Sequence, residues 1–255
     1  GMFSLGHAAF FGLGAYAAAI CQQTGINDAL IVFPLAMAVT GIFALAVGAI
    51  SLRTRGVYFI MITLAFAQMA YYLFISARSL GGDDGLPLGG RMTLAGVPLT
   101  DDTNLYFAAF FGLTVAMLFF GRLADARFGR VIQAIRENET RMEALGYPVF
   151  TYRLVCFALG GALAGLAGAL LANLTGLASP NLLVWTQSGT LLVMVIIGGV
   201  GYLYGGVVGA LILLCLEEVL VGFTPHWHIV LGLILLGVVL FAPKGVAALF
   251  GKRHG

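Results

Sequence analysis

ADARFGRVIQAIRENETRMEALGYPVFTY, residues 124–152, is the one long charge-dense stretch in a chain that is otherwise almost continuously apolar. Six arginines fall between Arg122 and Arg153, and apolar runs at 105–121 and 154–175 flank the stretch. Inside it, Val131, Ile132, Ile135, Met142 and Leu145 recur at helical spacing, with polar residues interrupting around Asn138. Glu137 and Arg141 stand four apart, a favourable helical pair. Gly146 follows the last apolar position and Pro148 follows that, a helix stop. The pattern predicts a short amphipathic helix over 129–146, joined directly to the next apolar run. Such a helix either lies on lipid headgroups or seats on a soluble partner. Glu137, Glu139 and Glu143 favour the partner, because anionic lipid repels them.

Composition fixes the class. Hydrophobic residues make up 60% of the 255 and charged residues 9%, against roughly 25% charged in soluble domains. Mean hydropathy is +1.01. A water-facing surface of ordinary size is excluded. The 36 glycines suit membrane helices, where small residues let backbones approach closely. Cys21, Cys156 and Cys215 lie in or beside apolar runs without metal-like spacing, and are expected to be buried, inert thiols. No basic region precedes Met2–Ile20, so that run reads as part of the membrane body, not as a cleaved leader.

A span needs about 20 apolar residues. Candidate runs are 4–20, 29–50, 57–75, 105–121, 154–175, 187–203, 206–222 and 228–242. The sixth is broken by Gly198, Gly199 and Gly201 and the eighth is short, so some are expected to be tilted or re-entrant. Basic residues gather on the cytoplasmic side. With 122–153 inside, Arg53, Arg55, Lys244, Lys252 and Arg253 also fall inside, eleven of the thirteen basic residues. The 76–104 loop, carrying Asp83, Asp84, Asp101 and Asp102, then lies outside. Trp185 and Trp227 fall at the outer interface, and both termini are cytoplasmic. The expected fold is all-α: a polytopic integral membrane protein of about eight transmembrane or partly re-entrant helices, with no sheet, in one domain over 1–255.

Polar residues at membrane depth face protein or water, not lipid. Ser4, Gly6 and His7, with Gly12 and Gly14, read either as tight helix packing or as a broken helix lining a pathway. Thr63 and Gln68 in the third run, and Asn173 and Thr175 in the fifth, read as interhelical hydrogen bonding or pathway contact. Glu217 and Glu218 are the acidic residues inside an apolar run, and neighbouring helical positions point about 100° apart. They are therefore expected to differ in role, Glu217 being kept as a pathway candidate. Gly161, Gly165 and Gly168 form a small-residue ridge, for packing within the chain or against a second one. His226-Trp227-His228 lacks further ligands to complete a metal site, and GGDDGLP at 81–87 lacks the spaced oxygens of a calcium loop. No phosphate-binding G-x-x-x-x-G-K-[ST] occurs in the sequence. No metal, cofactor, catalytic residue or nucleic-acid partner is expected.

The segment GRVIQAIRENETRMEALGYPVFTYRL at 129–154 resembles the cytoplasmic loop of LivM-type permease subunits of branched-chain amino-acid ABC importers. SLGHAAFFGLGAY at 4–16, RTRGVYFIMITLAFAQM at 53–69 and GGDDGLP at 81–87 agree in the same order. The resemblance implies a permease subunit in a bacterial inner membrane, paired with a second homologous permease. It further implies two cytosolic ATP-binding subunits beneath and an extracytoplasmic solute-binding protein above. The 129–146 helix would then be the coupling helix. Val131, Ile135 and Met142 would give the apolar contact to the ATPase, with Arg136, Glu139 and Glu143 setting register and Gly146 ending the helix. Family members carry further sequence, with at least one span, ahead of the SLGHAAFF motif, and the chain is expected to lack it. Amino acids are the expected cargo, with urea or short amides as the alternative within the family. A self-contained secondary transporter or channel would leave the 129–146 helix unexplained.

Overall fold

Glycine decides how the central helices meet. In the computed structural model of the protein, which describes residues 4–94, 97–99, 101–223 and 229–233, α1 (His7–Gln23), α2 (Ala29–Ser51) and α7 (Val149–Thr175) pack as a three-helix core. A side chain on Gly14 would strike the backbone of Gly165, and one on Gly168 would strike the carbonyl of Phe11. Gly165 also receives Thr40 of α2, and Gly161 receives Ala44 and Phe10. The Gly161, Gly165 and Gly168 ridge therefore packs inside this chain. Contact between bare backbones supplies the dispersion attraction that holds membrane helices together without a hydrophobic drive.

The remaining helices are α3 (Val57–Ser76), α4 (Asp102–Asp125), α5 (Arg127–Glu137), α6 (Glu139–Ala144), α8 (Trp185–Gly198) and α9 (Gly205–Phe223). Among the described residues, α2, α3, α4, α7 and α9 are long and apolar enough to cross a membrane. The eight expected runs thus give five such helices. α1 has 17 residues and α8 has 14, and most of the 228–242 run lies outside the described residues, as do Lys244, Lys252, Arg253 and the His226-Trp227-His228 motif. On α4 only Leu105 is buried, so nearly the whole helix presents apolar side chains outward. The chain divides into two compact units, 1–188 and 189–255.

The expectation of no sheet needs correction at the aspartate-bearing end of the first unit. There β1 (Leu86–Pro87) pairs antiparallel with β4 (Leu177–Ala178), and β2 (Thr93–Leu94) with β3 (Val97–Pro98). These two-residue ladders tie down a loop and do not alter the helical class. Gly85 carries φ +82° with the Ala178 carbonyl where a side chain would project, so the GGDDGLP stretch reads as a backbone-packed turn. Gln22 donates to the Gly90 carbonyl, and Asn173 accepts from the Met92 N–H, so α1 and α7 both hold this loop.

In the second unit, Gly198 lies against Gly205, and Gly209 against Met194 and Gly198, which folds α8 back on α9 through a tight turn. Glu217 is half-buried on α9 and Glu218 exposed. Cys21 is buried and Cys156 half-buried, but Cys215 is exposed on α9, against the expectation of three buried thiols.

Candidate functional site

Two places carry the polar chemistry of the first unit. The first is the start of α1. His7 lies beside Gly160, eleven residues beyond the first residue of α7, and the flank of Gly6 rests on Thr63, six beyond the first residue of α3. At 1.5 Å per residue these positions are about 16 Å and about 9 Å into the neighbouring helices. α1 therefore begins inside the helix layer. Ser4 is buried and accepts from the Gly6 N–H at 3.0 Å. Ser188 of α8 accepts from the Ala8 N–H at 2.8 Å, so the first turns of α1 and α8 meet. Leu183 fills the notch at Gly12, eleven residues (about 16 Å) short of the other end of α1. The stretch from Leu177 to Ser188 thus descends into the bundle as a short strand, a 3-10 turn (Pro180–Leu183) and a new helix. Trp185 opens α8 two residues after Leu183 and is 48% exposed.

Ser4, Gly6, His7 and Thr63 come together here. Thr63 is fully buried, its hydroxyl donating to the Ile60 carbonyl at 3.0 Å. His7 packs edge-on against Phe10 and Phe157, with ring centres 5.8 and 6.0 Å away. Gln68 does not join them, since five residues along α3 turn it about 140° away from Thr63. Glu217 belongs to the second unit. The Tyr16 hydroxyl, Gln22 Oε1, Ser51 Oγ and Asn173 Nδ2 are buried without a hydrogen-bond partner among the described residues. In a membrane such groups mark where water or a polar solute completes the bonding. Ser188 was invisible to sequence reading, because its partner lies 180 residues away and a lone serine opening an apolar run carries no pattern.

The second place is the 122–153 face. The single helix expected over 129–146 is two helices. Asn138 takes an extended backbone (φ −152°, ψ 99°) between α5 and α6, and its side chain caps α6 by accepting from the Arg141 N–H. That break separates Glu137 from Arg141, and no ion pair joins them among the described residues. Gly146 closes α6 at φ +82°, its N–H donating to Glu143 and that of Tyr147 to Met142, a Schellman stop.

The side chains also face otherwise than expected. Ile135 and Met142 are 4% and 7% exposed, packed with Val149 at the base of α7 and with Val131, Ala134 and Tyr152 around them. This apolar face is consumed within the chain and is not available to a partner. Glu139 turns inward too. Both of its oxygens accept from Arg153 of α7, at 2.6 and 2.7 Å, and Arg55 of the α2–α3 turn stands 3.2 Å away. Arg136 and Glu143 remain exposed, joined by Leu145 and Tyr147 at the tip. Sequence reading missed Arg55 and Arg153 as partners because each lies beyond the helix it grips.

Residues 1–242 match the profile of the family described as branched-chain amino acid transport system / permease component. The chain belongs to this family. It is 25% identical over 270 residues to the high-affinity branched-chain amino acid transport system permease protein LivM of Salmonella typhimurium, covering 96% of this chain and 64% of that one. The LivM protein of Escherichia coli K12 is likewise 25% identical, over 275 residues with the same coverage. The autoinducer 2 import system permease protein LsrC of Salmonella paratyphi B is 33% identical over 172 residues, 62% of this chain and 47% of its own. The chain thus spans about two thirds or less of the length of the curated relatives it matches. No solved structure matches. The permease is a multi-pass helical membrane protein of this family, and the relatives are named as permease proteins of transport systems.

Proposed function

We propose that this permease is the membrane subunit of an ATP-driven importer for branched-chain or related amino acids, and that it forms the path with a second homologous permease. Two cytosolic ATP-binding subunits would seat under α5 and α6. A solute-binding protein would deliver cargo at the loop around 81–94, with the chain in a bacterial inner membrane and the arginine face cytoplasmic. The observation that carries this reading is the Glu139 clamp. A motor outside the membrane moves spans only through an element fixed rigidly to them, and Glu139 fixes α6 to α7 and to the α2–α3 turn at once.

The buried Ile135 and Met142 then brace the element from behind, with Val131 beside them, and Gly146 shapes its tip. Glu143, Leu145 and Tyr147 would meet the ATPase. At the other place, two helices starting inside the bundle present the positive ends of their dipoles near Ser4, Gly6, His7 and Thr63, an arrangement suited to a carboxylate. The names of the LivM relatives support amino acids as cargo, and that of LsrC points to other solutes within the family.

The test replaces Leu145, 64% exposed, with arginine. Co-purification with the ATP-binding subunit and leucine uptake should both fall, while the permease still extracts and unfolds as before. Normal ATPase binding and unchanged uptake would remove α5–α6 from the coupling role.

A further inference from the structure

A cavity of about 540 Å³ opens between the α2–α3 turn and α5. Its lining includes Arg55, Arg136 and Arg153, with Glu139 as the one carboxylate among the lining residues. That carboxylate is already taken by Arg153 and Arg55, and Arg136 has no ion-pair partner among the described residues. Glu143 stands 3.9 Å from Arg55 as well, so three arginines meet two carboxylates and Arg136 supplies the one positive charge in excess. The first turn of α3 borders the same space with no side-chain cap and no acidic residue, which adds to the positive potential. Apolar side chains share the lining, among them Val57, Ile60 and Ile132.

The cavity sits where α2 ends and α3 begins, the level at which spans leave the hydrocarbon. Val57, Tyr58 and Met61 are each more than 60% exposed, so the outer side of α3 at this level is itself apolar. We propose that this cavity seats the headgroup of an anionic phospholipid. Its phosphodiester would lie against Arg55 and Arg136, and its glycerol and first methylenes against Val57, Ile60 and Ile132. Basic pockets between membrane helices hold acidic headgroups in this way. A free phosphate would leave the apolar part of the lining unused. An amino acid would need an unengaged carboxylate for its ammonium, and Glu139 is occupied. Seated there, the lipid bridges α3 and α5.

The test is native mass spectrometry of the purified permease without its ATPase, so that it stands or falls apart from the coupling role. Dioleoylphosphatidylglycerol should be retained in preference to dioleoylphosphatidylcholine. Arg136→Gln and Arg55→Gln should each weaken that retention about fivefold, the worth of one basic contact with an acidic headgroup, with unchanged thermal unfolding in lipid-free detergent. Should Arg55→Gln not fold, Arg136→Gln decides alone, because its side chain holds no ion pair. Equal retention of the two lipids, or of phosphatidylglycerol by wild type and Arg136→Gln, overturns the proposal. Displacement of the lipid by millimolar inorganic phosphate or glycerol phosphate overturns it in favour of a soluble anion.

Discussion

Arg153 holds Glu139 through both terminal guanidinium nitrogens, at 2.6 and 2.7 Å, with each side chain only about a fifth exposed. The bond joins the first turn of α6 to the second turn of α7, across fourteen residues of chain. Paired, planar and shielded, it belongs to the stronger class of charged hydrogen bonds.

Arg153→Lys keeps the charge but loses the two-pronged geometry. The expected cost is about 1.5 to 3 kcal/mol of local stability, the range for hydrogen bonds to charged groups. It should appear as faster amide exchange across 139–147, with the core of α1, α2 and α7 unchanged. Exchange at the wild-type rate in that segment would show that the apolar contacts of Ile135 and Met142 hold the element without the clamp.

Helix packing gives a sharper contrast. Gly14→Ala forces a methyl group into the Gly165 backbone, and backbone cannot swing aside as a side chain can. Overpacking of this kind typically costs about 1 to 3 kcal/mol, and the Gly14 variant should reach or exceed the top of that range. Gly112→Ala on α4 meets nothing within 4 Å. It should be neutral or stabilising by about 0.5 to 1 kcal/mol, through helix propensity alone. Thermal unfolding in detergent separates the two, and similar midpoints would contradict the packing described for α1 and α7.

What could be read from the sequence follows from the range of each interaction. Apolar runs, the arginine-rich loop and the stop at Gly146 and Pro148 are local patterns, and they foretold the helical membrane class. The break at Asn138 was half legible, since polar residues interrupt the apolar spacing there, but its capping of α6 depends on backbone geometry. The inward turn of Glu139 was not legible, because Arg55 and Arg153 lie 84 and 14 residues away. Nor was the depth of α1, which rests on Ser188, Thr63 and Gly160, all distant in the chain. An amphipathic helix announces that it has an apolar face without saying whether a partner or its own chain will cover it.

Sidedness can be checked directly. Asp84 and Asn138 are both exposed and lie at opposite ends of the first unit, one beyond α3 and the other between α5 and α6. A cysteine placed at Asp84 should react with a membrane-impermeant maleimide added to intact cells, and one at Asn138 only after the cells are opened. The reverse pattern would invert the assignment of inside and outside.

The meeting of α1 with α8 yields the last prediction. The Ser188 hydroxyl satisfies the Ala8 N–H, and Ser188 is 2% exposed. In Ser188→Ala that donor is left buried without a partner, at a cost of about 1 to 3 kcal/mol. Ser188→Thr keeps an acceptor oxygen and should recover most of the loss. If the first turns of the two helices also border the path, Ser188→Ala should lower leucine uptake beyond what its reduced amount in the membrane explains. Uptake per folded permease would then fall in the alanine variant and return with threonine. A drop in amount with unchanged uptake per molecule would leave Ser188 as a structural tie between α1 and α8. In that case the carboxylate would have to be held elsewhere, and the partnerless Asn173 Nδ2 and Tyr16 hydroxyl would be the next residues to replace.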